Sequence, residues 1–591
     1  MYHIDFNNPV HVHFIGIGGI SMSGLAHILI GRHFTVSGSD SHESELTDAL
    51  EKEGCTCFYK QEASNIHPDY DVVVYTAAIS DSNPELARAR ELGIPTLTRA
   101  ELLGQLMKNY KVAVNVAGTH GKTTTTSMIT EILLAGNCDP TISVGGILHS
   151  IGGNVRVGKS DIFVTEACEY TNSFLSFYPT IDVILNVKAD HLDFFKDIDD
   201  IRHSFKLFTE KLPKDGTLII NTDIDNYEYF YKDTDCEVIT VGSNPATSRY
   251  SAADIAYDSA GCCSYTLLID NKPDGTIKLG VPGEHNVYNS LAAIAVAIKL
   301  GLDLETIKKG LCGFSGTDRR FQKKGTFNGV TVVDDYAHHP DEITATLDSA
   351  KHFPHNRTWC VFQPHTYSRT KALLGDFAKA LSAADIVVLA DIYAARETDN
   401  LGISSADLQK AIGELGKECY YFHSFEEIEK FLLKNCINGD LLITMGAVGV
   451  VGEQHCMGLA AVIQHDALRV LRKQGDQGLH FFLFARGQCA VAHLHLLICK
   501  AVGKPVGPCC GTDTVLGHSG PVGQAVKIGT AAQHHGCGCQ RAGAATALLE
   551  VEACVHIQIN CQGSRQAGEH KHQCQHKAQQ FFTGRCSGIH G

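Results

Sequence analysis

With 591 residues and 44% hydrophobic content, the chain is long enough to form several domains with apolar cores. Its formal net charge of −15 argues against nucleic acid or an anionic membrane surface as the main partner, while a small anion held by local positive charge stays possible. No run of about 18 uninterrupted apolar residues occurs. The start MYHIDFNNPVHVHF lacks the basic opening and cleavage site of a signal peptide, so the expectation is a cytoplasmic protein whose 22 cysteines stay reduced.

In chain order, Val10 to Gly19 runs from an apolar strand into glycines, Ile20 to Ile30 has helical apolar spacing, and Phe34 to Asp40 makes a second strand ending in an acid. This βαβ unit superficially matches a dinucleotide fingerprint, with Asp40 as the ribose-binding acid, but Ser21 stands where the third glycine belongs. A NAD site is therefore poorly supported. A related fold could hold another nucleotide with Gly18, Gly19 and Ser21 near its diphosphate; a ligand-free tight turn is the alternative. Asp71 to Thr76 and Ile94 to Leu97 continue the alternation, and a first domain closes near residue 109.

A second domain opens on the stretch with the clearest chemistry. Lys111 to Val116 reads as a buried parallel strand, and Ser127 to Leu134 as a helix; between them lies Ala117-Gly118-Thr119-His120-Gly121-Lys122-Thr123-Thr124. A glycine turn there aims free backbone N–H groups and the positive helix end at an anion. Lys122 would add a point charge for the terminal phosphates of ATP, and the Thr123 hydroxyl is placed for Mg²⁺. Only two residues separate Gly118 from Gly121, fewer than in the ordinary P-loop.

Asp161 to Glu166 and Ile181 to Val187 read as further buried strands, so Glu166 and the later His191 would project from one sheet edge. The stretch from Glu237 to Leu279 is more β-like. Asn286 and Asn289 open an apolar helix over Leu291 to Leu300, which N-capping alone would explain. Arg319 and Arg320 stand at a predicted hinge, where one could clamp the γ-phosphate bidentately or both could be solvated. A third domain would begin near Phe321, with strands at Val330 to Asp334, Trp359 to Phe362, Asp385 to Leu389 and Asp440 to Thr444. Asp334-Asp335-Tyr336-Ala337-His338-His339 packs more acid and imidazole into a strand end than a structural turn needs.

After residue 455 the composition breaks. Half of the cysteines fall there, with no Tyr or Trp, a single Asn (Asn560), and no regular Cys/His ligand spacing. Residues 453–591 read as out-of-frame or non-native sequence; an unusual metal-binding appendage is the alternative.

Nine segments, in order, resemble the Mur ligase family of peptidoglycan synthesis: HFIGIGGISMSGLA (13–26), VSGSD (36–40), AGTHGKTTTT (117–126), TEACEYTNSFL (165–175), NVKADHLDFF (186–195), GEHNVYNSLAA (283–293), GTDRRFQ (316–322), DDYAHHPDEI (334–343) and FQPHTYSRT (362–370). The resemblance implies three doubly wound α/β domains: a Rossmann-like UDP-sugar domain (1–109), a central P-loop ATPase domain (110–320) and a Rossmann-like amino-acid domain (321–452). It implies a monomer or weak homodimer that joins L-alanine to the carboxylate of UDP-N-acetylmuramate, using ATP through an acyl phosphate. A tripeptide-accepting recycling ligase and a catalytically impaired nucleotide-binding relative are the alternatives.

Carried over residue by residue, the resemblance implies two Mg²⁺ ions, one on Thr123 and Glu166 and the other on His191, with Glu169 as an alternative carboxylate. It places Gly118 to Thr124, Asn286, Asn289, Arg319 and Asp335 on ATP, and Gly18, Gly19, Ser21 and Asp40 on the UDP-sugar. Tyr336, His338, His365 and Arg369 fall to alanine, and Lys122, Glu166, His191, Arg319 and His338 to catalysis, His338 by assisting deprotonation of the amine. Two departures stand out. Thr366 replaces an arginine common in relatives, and Gly446-Ala447 is followed by Val448-Gly449 instead of Gly-Asp, which predicts a weakened third domain and reduced ligation.

Overall fold

The structure is a computed structural model that describes residues 2–447 apart from 77, 193 and 396; Asp193 of the NVKADHLDFF segment, Val448-Gly449 and the whole of 453–591 lie outside the described residues. Three α/β units follow one another along the chain, each built on its own sheet.

The first sheet contains β1 (His11–Ile15), β2 (Thr35–Ser39), β3 (Thr56–Phe58), β4 (Val72–Tyr75) and β5 (Thr96–Thr98), in the order β3-β2-β1-β4-β5 and parallel throughout. Parallel strands need crossovers, and these run through helices that cover the sheet and leave Val12, Phe14, Val36, Val72 and Val74 fully or almost fully buried. The strand expected at Ile94 to Leu97 forms later, at Thr96–Thr98, because the Ile94 N–H closes the preceding helix onto Ala89 O and Thr98 caps the next one, accepting from the Glu101 N–H.

The second sheet has ten strands: β6 (Val112–Ala117), β7 (Thr141–Leu148), β8 (Gly153–Arg156), β9 (Ile162–Ala167), β10 (Ile181–Ile184), β11 (Thr217–Asn221), β12 (Glu237–Val241), β13 (Tyr250–Tyr257), β14 (Cys262–Ile269) and β15 (Lys272–Pro282). Strands β12, β11, β10, β6, β9 and β7 make its parallel centre. The β-like reading of 237–279 corresponds to β12 and the antiparallel meander β13-β14-β15 that extends one edge. Strand β10 ends at Ile184, short of the expected Val187, since Asn221 Nδ2 takes the Leu185 carbonyl at 2.9 Å and Asn186 turns to the neighbouring loop.

The third sheet contains β16 (Gln322–Phe327), β17 (Val330–Asp335), β18 (Thr358–Phe362), β19 (Ile386–Leu389), β20 (Glu418–Tyr421) and β21 (Leu441–Met445), ordered β16-β17-β21-β18-β19-β20, with only β16 antiparallel. Trp359, the chain's one tryptophan, is buried in β18 and donates its indole N–H to Asp440 at 2.9 Å, which locks β18 to the turn before β21. The C-terminal ends of β6, β9 and β10 and of β17 and β18 carry the polar residues that meet between the second and third units. Among the described residues no helix is long and apolar enough to cross a membrane.

Candidate active site

Strand β6 ends at Ala117 and the helix Lys122–Ala135 begins at once, so Gly118 to Gly121 must reverse the chain in four residues. Gly118 (φ +139°) and Gly121 (φ +86°) take backbone angles that side chains disfavour. A Cβ on Gly121 would stand 2.5 Å from Asn289 Oδ1, so the loop is a cradle that only glycine leaves open. Asn186 holds it from behind, accepting the His120 N–H at 2.8 Å and donating to His120 O at 3.0 Å, as a neighbouring strand would. A glycine turn opening a helix beside a cleft suits a phosphate chain.

Lys122 Nζ donates to Gly118 O at 2.5 Å and Thr119 O at 3.1 Å and pairs with Glu169 at 3.0 Å. Burial alone would lower its pKa, but the negative charge of Glu169, with lesser help from Cys168 and Glu166, outweighs it and keeps the ammonium. Thr123 Oγ1 lies 3.1 Å from Glu166 Oε2, whose other oxygen accepts the Gly145 N–H. The structure thus brings Thr123 and Glu166 together and puts Glu169 on Lys122. A hydroxyl beside a carboxylate is a hard-oxygen pair that suits Mg²⁺. His191, in a loop with φ +53°, lies against Tyr170 with ring centroids 4.6 Å apart and planes tilted by 32°, and stands 3.9 Å from Asp190.

A cleft of about 280 Å³ opens beside the loop, lined from the second unit by His120, Gly121, Thr124, Asn286 and Asn289, at the junction by Arg320, and from the third unit by Asp335. The capping explanation for the asparagines is corrected here. The helix runs His285–Lys299 with Glu284 before it, so both lie inside its first turns, Asn286 donating to Pro282 O at 2.7 Å and Asn289 to Asn286 Oδ1 at 3.0 Å.

Arg319, expected on the nucleotide, is engaged by protein groups here. Its backbone turns at φ +60°, which sends the guanidinium to Asp334 (3.2 Å) and to the carbonyls of Gly446 (2.5 Å) and Ala447 (3.3 Å). Arg320 lines the cleft instead, and both guanidiniums lie over the Tyr336 ring. Asp335 accepts the N–H groups of Phe321 (2.7 Å) and Ala337 (2.8 Å); burial pushes its pKa up to about 6 against the opposing pull of Arg320.

His338 and His365 come together edge to face, centroids 6.1 Å apart. His338 Nδ1 lies 3.0 Å from Tyr336 O and 3.2 Å from Glu342, which fixes the ring; burial depresses its pKa, so the imidazole is neutral at pH 7. His365 is pushed down to about 4 by burial and by Arg369, whose Nη1 lies 3.2 Å from its Nδ1. Arg369, expected on the alanine carboxylate, also pairs with Asp190, its Nη2 at 2.9 Å. In the first unit Asp40 accepts the Gly18 N–H at 2.9 Å, Gly19 precedes the helix Ile20–Gly31, and Ser21 Oγ takes an N–H from Arg99 at 3.2 Å.

Glu342, Asn186 and Arg99 escaped the reading of the sequence, and Asp190 entered it only as an acid flanking His191. Glu342 alone had a local signal, four residues beyond His338 in the first turn of the helix that follows it, with its oxygens reaching His120 Nδ1 and the His338 N–H. The others meet their partners only through tertiary structure.

Fold and site define a three-unit α/β enzyme whose phosphate loop faces a cleft closed by the last unit. Three family models match the chain in turn: Mur ligase family, catalytic domain, over residues 11–111; Mur ligase middle domain over 116–297; and Mur ligase, glutamate ligase domain, over 319–448. Among curated relatives, the UDP-N-acetylmuramate–L-alanine ligase of Lachnospira eligens is 73% identical over 455 residues, covering 77% of this chain and 99% of that protein. The ligase of the same name from Agathobacter rectalis is 60% identical, covering 76% and 98%. Among solved structures, the UDP-N-acetylmuramate-alanine ligase of Thermotoga maritima aligns with a TM-score of 0.63 at 29% identity, over 78% of this chain and all of that one. The chain belongs to the Mur ligase family.

Proposed function

We propose that the protein joins L-alanine to the carboxylate of UDP-N-acetylmuramate in peptidoglycan synthesis, with ATP cleaved to ADP and phosphate. The observation that carries this reading is the cleft in which the glycine loop, Asn289, Arg320 and Asp335 meet, in a chain with 73% identity to a ligase of that name. Units 1–109, 110–320 and 321–452 are assigned to UDP-sugar, ATP and amino acid respectively.

The work of the chain's own residues is mainly alignment and charge neutralisation, as phosphoryl transfer requires. Lys122 and the N–H groups around Gly121 hold the phosphate chain, and Arg320 covers it from the hinge into the third unit. Thr123 and Glu166 would hold Mg²⁺, which screens phosphate charge when bound; His191 is proposed for a second ion. The turn at Gly18 and Gly19, with Ser21 and Asp40, receives the UDP-sugar. Neutral His338, oriented by Tyr336 O and Glu342, is placed to take a proton from the alanine ammonium, while His365 and Arg369 face the alanine carboxylate.

Phosphate release is to be measured with UDP-N-acetylmuramate and alanine, serine, glycine or a tripeptide in turn. Release that requires both the sugar nucleotide and alanine is expected; preferential use of the tripeptide, or release without the sugar nucleotide, would overturn the assignment.

A further inference from the structure

We propose that His120, His339 and Asp341 form a separate cation site, suited to a borderline transition metal such as Zn²⁺ rather than to Mg²⁺, that ties the phosphate loop to the third unit. One ligand atom from each of these residues lies within 4.8 Å of the others. The two imidazoles face each other at 4.8 Å between centroids, tilted by 41°. His120 comes from the glycine loop; His339 and Asp341 flank Pro340 at the start of the helix Pro340–Ala350.

The protonation pattern prepares His120 as a ligand. Its Nδ1 lies 3.2 Å from Glu342 Oε1, and a carboxylate oxygen accepts, so the ring proton sits on Nδ1. That leaves a lone pair on Nε2, an atom that is buried and has no hydrogen-bond partner. A histidine whose far nitrogen donates to a carboxylate is the arrangement that orients metal-binding imidazoles. The contacts of His339, to Ala189 O and from the Asp341 N–H, are both long at 3.3 Å, so neither nitrogen is firmly engaged.

Two imidazoles and one carboxylate form the donor set of a zinc-like ion, whereas Mg²⁺ prefers oxygen and water. Tetrahedral ligation needs donor atoms roughly 3.4 Å apart, which the three side chains reach by small rotations. His120 and Asp341 also line the cleft, so the fourth position opens to water or a phosphate oxygen. This site is distinct from the pair Thr123 and Glu166 and does not depend on the ligase reading.

The test is a Co²⁺ titration of the full chain in millimolar Mg²⁺, which occupies oxygen-rich sites, followed by displacement with Zn²⁺. Metal bound by His and Cys residues after 455 is common to all variants, so the difference between variants is what is read. The parent is expected to bind one equivalent more than Asp341→Asn or His339→Gln, with visible d–d absorption that Zn²⁺ abolishes. Equal stoichiometry and spectra in parent and variants would overturn the proposal. A zinc-soaked crystal of the parent gives an answer independent of variant folding: an anomalous peak between His120 and His339 supports the site, and peaks only elsewhere overturn it.

Discussion

Arg369 reaches from the helix after β18 to Asp190 in the loop after β10, placing Nε at 3.2 Å and Nη2 at 2.9 Å from one carboxylate oxygen. The pair joins the second and third units, and its side chains are 12% and 8% exposed, so each charge depends on the other. Burial alone would raise the Asp190 pKa; Arg369, with His191 and His339, overrides this and holds it well below the usual carboxylate range. The contribution is therefore full above the ordinary carboxylate pKa and lost only in strong acid.

Removing one partner strands the other. Asp190→Asn and Arg369→Met are each expected to lower stability by about 3 kcal/mol. The double variant should fall short of the sum by about 1–3 kcal/mol. Chemical denaturation of the four proteins checks this, and strict additivity would show that the pair is not formed in solution.

The phosphate loop predicts a steric failure. Gly121→Ala combines a positive φ with a contact of 2.5 Å to Asn289, so a loss of about 1–3 kcal/mol is expected, read as a lower melting temperature. Unchanged melting would mean that the loop adopts another turn.

Asp335 carries a pH signature. Its pKa is about 6 in the folded chain against an ordinary value of 3.8, so the folded state keeps a proton that the unfolded state has released. The associated stability is complete below about pH 4 and is lost as pH rises through 6, a change of about 3 kcal/mol. Asp335→Asn cannot titrate, so its stability relative to the parent should rise between pH 4 and 7. A difference that stays flat over that range would contradict the burial of this carboxyl as a cause.

The two glutamates at the end of β9 and just beyond it separate by metal dependence. Glu166 touches Thr123, and Glu169 touches Lys122. Glu166→Gln should raise the Mg²⁺ concentration for half-maximal activity severalfold, whereas Glu169→Gln should lower turnover with that midpoint unchanged. The reverse pattern would move the metal to Glu169.

The glycine loop was legible because its shape is local: a buried strand, glycines at 118 and 121, and a helix within a few residues determine where Lys122 and Thr123 lie. The three sheets were legible for a similar reason, since apolar strands alternating with helices leave few ways to cover both faces. What could not be read were directions set from far away. Which arginine faces the cleft depends on φ at Arg319 and on carbonyls at Gly446 and Ala447, more than 120 residues later. Glu342 gains its role from His120, which is 222 residues distant in sequence. Asn286 reads as a cap because asparagine favours caps, yet the chain turns at Gly283, φ +97°, and the helix has already begun.

The most direct measurement is product formation by Lys122→Ala. Lys122 places its ammonium at the turn between Gly118 and Thr123, and loss of such a charge contact typically costs about 10²–10³ in kcat. With UDP-N-acetylmuramate, alanine, ATP and Mg²⁺, the parent should form amide product and ADP in equal amounts, and the folded variant should be slower by that factor. A variant with intact melting behaviour that forms product at the parent's rate would contradict the account.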